Sequence, residues 1–255
     1  MASRPLETPL SRPLVIGHRG AMACAPENTL ASFREAFAQG ADGVECDVHL
    51  SADGQVVVMH DFTLERTTSG QGLLADHPYH ALRELDAGGW YEPRFSGEPI
   101  PLLSELLALV NEEGERRGAL PVVVIELKAG SRRYPGIEAA VVAEVRKAGL
   151  SHRALFISFD HFAIQALKRL APDCCAGVLY HALPVDPAAM ARAAGADAVG
   201  PSVETVDADQ VRLAHAAELS LFAWTVRTPD EARRMAALGV DAFGANAPGE
   251  MLRAF

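Results

Sequence analysis

Glu45 and Asp47 are separated by one residue, so on an extended backbone their carboxylates share a face. They sit in Val44-Glu45-Cys46-Asp47-Val48, whose opposite face is apolar. After the polar turn Ser51-Ala52-Asp53-Gly54, a second β-patterned run, Val56 to Met59, leads into His60 and Asp61. Two carboxylates converging near a histidine point to metal binding and proton transfer. An exposed edge strand with solvated charges is the plain alternative. Further groups of this kind recur along the chain. His18 and Arg19 follow Leu14-Val15-Ile16, Glu126 and Lys128 follow Val122 to Ile125, Ser158 closes Ala154 to Ser158, and Trp224 lies near the end of Leu221 to Thr225.

The elements that must position these groups form a repeated pattern of short apolar strand, polar loop and amphipathic helix. Asn28 or Thr29 is placed to cap a helix with apolar face Leu30, Phe33 and Phe37, closed by Gly40. Helices are predicted over Leu102 to Val110, Ile137 to Ala148, Phe162 to Leu170, Pro187 to Ala194 and Val211 to Leu219. A last one begins at Thr228-Pro229-Asp230-Glu231, where a cap, a first-turn proline and a glutamate coincide. Further strands are predicted at Cys175 to Tyr180 and Ala198 to Gly200. The count is eight strands, Val56 to Met59 being the third, with Val240 to Phe243 a doubtful extra piece.

This alternation, in a chain of 255 residues, predicts one (β/α)8 barrel domain over residues 1–255. An open doubly wound sheet is the alternative. It calls for a glycine-rich dinucleotide loop after the first strand, which Gly17-His18-Arg19-Gly20 is not. Between Phe62 and Pro101 the periodicity breaks down under repeated Gly, Pro, Ser and Thr, yet Trp90, Tyr91 and Phe95 argue against disorder. An irregular insertion after the third strand, serving as an active-site excursion or lid, is expected there. Because each polar group follows its apolar run, all are expected at the C-terminal ends of strands, around one mouth.

Composition narrows the function classes. A net charge of -10 argues against general binding to nucleic acid or anionic membrane. Cys24, Cys46, Cys174 and Cys175 lack metal or disulfide spacing. Met1 to Pro13 has no apolar core of a signal peptide, and no run reaches membrane-span length, so a cytoplasmic protein without stable membrane association is expected. Glu45, Asp47 and Glu126 offer three hard oxygen ligands, suited to one Mg²⁺ or Ca²⁺. Arg19 and Lys128 suit a phosphoryl group beside it. His18 and His60, on separate strands, are expected to flank that group as an acid–base pair. Hydrolysis of a phosphate ester follows.

The chain resembles the glycerophosphodiester phosphodiesterase family. The resemblance rests on His18-Arg19-Gly20, Pro26-Glu27-Asn28-Thr29, Glu45-Cys46-Asp47-Val48, Asp53-Gly54, His60-Asp61, Glu126-Leu127-Lys128 and Trp224, in the family's order. It implies a TIM barrel with an insertion after the third strand. It also implies metal-dependent hydrolysis of small-molecule glycerophosphodiesters to sn-glycerol 3-phosphate and an alcohol. By position it makes His18 and His60 catalytic, Glu45, Asp47 and Glu126 metal ligands, and Arg19 and Lys128 phosphate-binding. Glu27 and Asn28 shape the loop over the site, and Trp224 packs on the glycerol carbons. One departure stands out: the family's Ile-Thr before the C-terminal Asn is Gly244-Ala245 here, although Asp241, Asn246 and Pro248 remain. Two other activities stay open. A lysophospholipase D-like or cyclising phospholipase-like enzyme needs an apolar groove, which Leu73, Leu74, Trp90 and Phe95 are placed to supply. A non-enzymatic phosphoester-binding module needs no pair of histidines.

Overall fold

The computed structural model describes residue 6 and residues 11–255. The reading of Met1 to Pro13 therefore falls largely outside the described residues. The strands are β1 (Leu14–Gly17), β2 (Gly43–Leu50), β3 (Val56–Val58), β4 (Val122–Leu127), β5 (Ala154–Ser158), β6 (Cys175–Tyr180), β7 (Ala198–Pro201), β8 (Ser220–Val226) and β9 (Ala242–Ala245). The helices are α1 (Leu30–Ala38), α2 (Tyr79–Arg83), α3 (Leu103–Arg117), α4 (Ile137–Lys147), α5 (His161–Leu170), α6 (Pro187–Ala194), α7 (Ala208–Ala216), α8 (Pro229–Leu238) and α9 (Pro248–Leu252). No helix among the described residues is long and apolar enough to cross a membrane.

Eight parallel strands close into a TIM barrel in the order β1-β9-β8-β7-β6-β5-β4-β2, and β2 returns to β1. The strand count of eight holds, but its membership differs from the sequence reading. Val56 to Val58 pairs antiparallel with β2 and stands outside the barrel. The doubtful piece near Val240 supplies β9, the strand that closes the barrel on β1 and β8. The physical reason is reach. A five-residue loop from β2 permits a hairpin, whereas a parallel neighbour needs a crossover of a dozen residues or so.

Alternation along the strands sorts the side chains. Ile16, Val122, Val124, Leu155, Ile157, Phe222 and Ala242 fill the barrel, with Leu6 in the same cluster. Val44, Cys46, Val48, Val123 and Ile125 face outward under the helices. The segment after β3 folds on a small core of its own, made by Val57, Met59, Leu64, Leu74, Leu82, Ala87 and Ile100. Helix α3 runs on past the predicted end at Val110. Its last turn is tied down by Arg117, which donates to the carbonyls of Ala41 and Phe37 at 2.7 and 2.9 Å.

At the N-terminal ends of the strands a device recurs. Gly40-Ala41-Asp42, Gly195-Ala196-Asp197 and Gly239-Val240-Asp241 each join a helix to a strand. The glycines take φ of 90°, 69° and 82°, the left-handed turn that stops a helix. Each aspartate then accepts from a backbone N–H of the neighbouring strand: Val15 at 2.8 Å, Ala176 at 2.9 Å and Leu221 at 2.7 Å. Arg12, Lys168 and His215 pair with the same three carboxylates.

Candidate active site

The opposite end of the barrel gathers the residues singled out in the sequence. His18 extends the β1–β9 pairing, its N–H donating to the carbonyl of Ala245 at 2.9 Å. The chain then turns sharply. Arg19 has φ of 50°, in the left-handed region, and this aims its N–H at Oε2 of Glu45, 2.9 Å away. Gly20 follows at φ 83°, so close to α1 that a Cβ would lie 2.4 Å from Oγ of Ser32. Only glycine lets this loop lie against the helix.

Glu45 and Asp47 on β2 meet Glu126 on β4, because Asp47 and Glu126 are paired in register. All three are buried, and one carboxylate oxygen from each lies within 4.8 Å of the others. Lys128 Nζ stands 3.0 Å from Glu126 and 3.3 Å from Asp47, and Nε of Arg19 lies 3.3 Å from Asp47. Asn28, with φ of 58°, donates from Nδ2 to Oδ2 of Asp47 at 2.8 Å. Burial raises the pKa of Asp47, but Lys128 and Arg19, helped by His60 and Asn28, outweigh it and hold that carboxyl well below the usual range. Glu45 goes the other way, pushed well above its ordinary value by burial and by the charges of Asp47 and Glu126. Glu126 rises to about 7, through burial first and Asp47 second.

Three buried carboxylates thus share two cations, and two of the three resist ionisation. Oδ1 of Asp47 is also buried without a well-formed hydrogen bond, Lys128 being within ion-pair range only. A divalent cation fits this cradle: it supplies the missing positive charge to an all-oxygen donor set. Cys46 faces away into the outer core.

The cavity above the triad has two unlike walls. His18, Arg19, Glu45, His60, Glu126 and Lys128 form one; Ile157, Phe159, Leu179, Phe222 and Trp224 form the other, with Thr225 between. Trp224 is held by its indole N–H, which donates to the carbonyl of Gly200 at 2.8 Å, and it meets Phe159 edge-on. Glu27 and Asn28 do not line this cavity. They stand behind it, Glu27 accepting from Nη1 of Arg19 at 2.8 Å and Asn28 bracing Asp47. Ser158 is turned away, donating to the carbonyl of Leu127.

His60 reaches the mouth by an unexpected route. It does not end a barrel strand; the antiparallel return of β3 brings it back beside Asp47, whose carbonyl accepts from Met59 N–H at 3.0 Å. His49 holds it there. Nε2–H of His49 donates to the carbonyl of His60 at 3.1 Å, while the hydroxyl of Tyr134 donates to His49 Nδ1 at 2.8 Å. The sequence reading passed over His49, although it continues the Glu45, Asp47 alternation by one more step. Tyr134 carried no local signal. Asp61, unsettled from sequence, accepts from Nδ1–H of His60 at 2.6 Å.

Fold and site together define a (β/α)8 hydrolase whose mouth offers an acidic triad to a divalent cation and two fixed cations to an anion. The chain belongs to the glycerophosphoryl diester phosphodiesterase family, whose profile matches residues 18–250, and it is an enzyme of that type. It is 36% identical over 228 residues to the glycerophosphodiester phosphodiesterase of Caldanaerobacter subterraneus subsp. tengcongensis, covering 89% of this chain and 91% of that one. Among solved structures it is similar to an Oleispira antarctica phosphodiesterase in complex with the product sn-glycerol-3-phosphate, at TM-score 0.86 and 32% identity over 95% of this chain and 96% of that one. The glycerophosphodiester phosphodiesterase of Agrobacterium tumefaciens C58 matches at TM-score 0.82 and 29% identity, covering 94% and 99%.

The expected His18/His60 acid–base mechanism is corrected. The group with metal-ligand geometry is the triad Glu45, Asp47 and Glu126. The product complex of the Oleispira relative, with sn-glycerol-3-phosphate bound, accords with hydrolysis in this fold. The physical reason lies in the histidines. Such a pair needs one ring protonated and one neutral at the same pH. His18 is lowered to about 4, by burial and by Arg19 beside it, and its Nδ1–H is spent on Oδ1 of Asn246 at 2.7 Å. His60 is lowered as well, chiefly by burial, despite the opposing pull of Asp47. Both shifts favour the neutral ring, so burial works against the charged acid that such a pair needs.

Proposed function

We propose that this chain hydrolyses glycerophosphodiesters, releasing sn-glycerol 3-phosphate, at a metal centre held by Glu45, Asp47 and Glu126. The observation that carries the reading is the cradle of three buried carboxylates beside two fixed cations, roofed by an apolar wall. One Mg²⁺ or Ca²⁺ suits the donor set, and when bound it supplies Lewis-acid polarisation of a phosphoryl oxygen. Arg19 and Lys128 bind the phosphate and hold it against that wall. Trp224 packs on the glycerol carbons. His18 and His60 touch the phosphoryl group as neutral hydrogen-bonding side chains. Glu27 and Asn28 act one step back, through Arg19 and Asp47. The working unit is a single barrel domain. Its four cysteines, which lack the spacing of a disulfide framework, suit a reducing compartment, and we place it in the cytoplasm.

The test is coupled detection of sn-glycerol 3-phosphate from glycerophosphocholine and its ethanolamine, glycerol and inositol counterparts, before and after EDTA. Turnover that EDTA removes, and that Mg²⁺ or Ca²⁺ restores, is the expected result. Absence of chelator-sensitive turnover on all four esters overturns the reading.

A further inference from the structure

Arg66 lies in the segment after β3, outside the main cavity, and its guanidinium grips two carboxylates at once. Nη1 and Nη2 donate to Oε2 and Oε1 of Glu27 at 2.9 and 2.8 Å. Nε and Nη2 donate to Oδ2 and Oδ1 of Asp61 at 2.5 and 3.0 Å. Each carboxylate is also bound to a residue of the cavity wall: Glu27 Oε1 accepts from Arg19, and Asp61 Oδ1 accepts from His60. One side chain therefore braces two residues of that wall, Arg19 through Glu27 and His60 through Asp61. Arg66 is itself anchored, since Leu64, two residues earlier, is fully buried in the small core of the insertion.

The charge balance explains why a second arginine is needed. Glu27 is buried, with a side chain only 4% exposed, and it stands between Arg19 and Arg66. With Arg66 present, Glu27 is shared between two guanidinium groups, and Arg19 keeps positive charge for an incoming phosphate. Without it, Glu27 pairs with Arg19 alone and cancels it. A bidentate grip on two carboxylates is a geometry that lysine cannot reproduce.

We propose that Arg66 is a positioning residue through which the insertion tunes the mouth, presenting Arg19 to the phosphate and fixing the ring of His60. The proposal rests on the phosphate-binding role given to Arg19 above. Arg66→Ala is expected to lower kcat/KM by about 10–100-fold, the range found when a residue that orients a ligand-contacting group is lost. Much of the loss appears as a raised KM and as weaker binding of sn-glycerol 3-phosphate by calorimetry. Millimolar methylguanidinium should restore part of kcat/KM to Arg66→Ala in a saturable way and leave wild type unchanged. Arg66→Lys, which keeps the charge, should fall between wild type and Arg66→Ala, and it serves where the alanine variant folds poorly. Unchanged KM and product affinity in either folded variant overturns the proposal. So does a loss confined to kcat that tracks reduced stability and resists methylguanidinium. A wild-type protein that neither turns over the esters nor binds sn-glycerol 3-phosphate overturns the functional reading instead.

Discussion

Carboxylates stand at both ends of this barrel, and they answer to opposite physics. At the N-terminal ends Asp42, Asp197 and Asp241 each accept a backbone N–H from the neighbouring strand and face one basic side chain, Arg12, Lys168 or His215. Each is balanced, so each stitches the fold. At the C-terminal ends Glu45, Asp47 and Glu126 are packed together and share two cations. Only Asp47 is held firmly ionised; Glu45 and Glu126 are driven toward the neutral form. The same chemical group stabilises at one end and stores electrostatic tension at the other. A site that binds a cation must be left short of one by the protein itself.

The comparison breaks most visibly in activity. Asp47→Asn or Glu126→Gln should reduce chelator-sensitive turnover by at least ~100-fold, about 2.7 kcal/mol or more in transition-state terms. Initial rates at saturating Mg²⁺ or Ca²⁺ check this, and near-normal rates would place the metal elsewhere.

A thermal titration sharpens it next. Glu126 has a folded pKa of about 7 against an ordinary value of 4.5, so the folded state binds the extra proton between those limits. The contribution of Glu126 to the stability of the metal-free protein should therefore fall as pH rises from about 4.5 to about 7, by up to about 3 kcal/mol, while the lowered histidines His18 and His49 contribute with the opposite sign. A divalent cation, which binds the ionised form, should flatten or reverse that slope. Calorimetric Tm against pH, with and without metal, provides the measurement, read as the difference between wild type and Glu126→Gln; Asp197→Ala should keep the wild-type pH profile.

Asp197→Ala is the mirror experiment at the other end. It leaves Ala176 N–H and Lys168 without their shared partner and should cost about 1–2 kcal/mol. Denaturant midpoints read the loss, while kcat stays within about twofold; a large fall in kcat would mean that the two ends are coupled. The smallest effect is expected for Trp224→Phe, which keeps the apolar wall but drops the indole bond to Gly200. A rise in KM of about threefold, roughly 0.7 kcal/mol, with kcat little changed, is the outcome to look for.

Much of this was legible in the chain itself. Period-two spacing put Glu45 and Asp47 on one face and Cys46 on the other, and the structure keeps that division. Thr29 and Thr228 cap the helices their positions indicated, each accepting a backbone N–H in the first turn. These features are local: one residue type, one spacing and one hydrogen bond decide them.

Pairing between distant segments is where the sequence stopped short. Val56 to Val58 and Ala242 to Ala245 are both short apolar runs, and nothing within them says which joins the barrel. Loop length and closure of the sheet settle that, and they also bring His60 to the mouth from outside the barrel. The same holds for charge. Residue types alone marked His18 and His60 as a proton-transferring pair, but burial, with Arg19 nearby, shifts both toward the neutral form. Spacing alone told which residues could face one another across a strand. Only the folded arrangement of buried charges decided which of them favour the ionised form, and therefore that the acidic triad is a cradle a divalent cation fits.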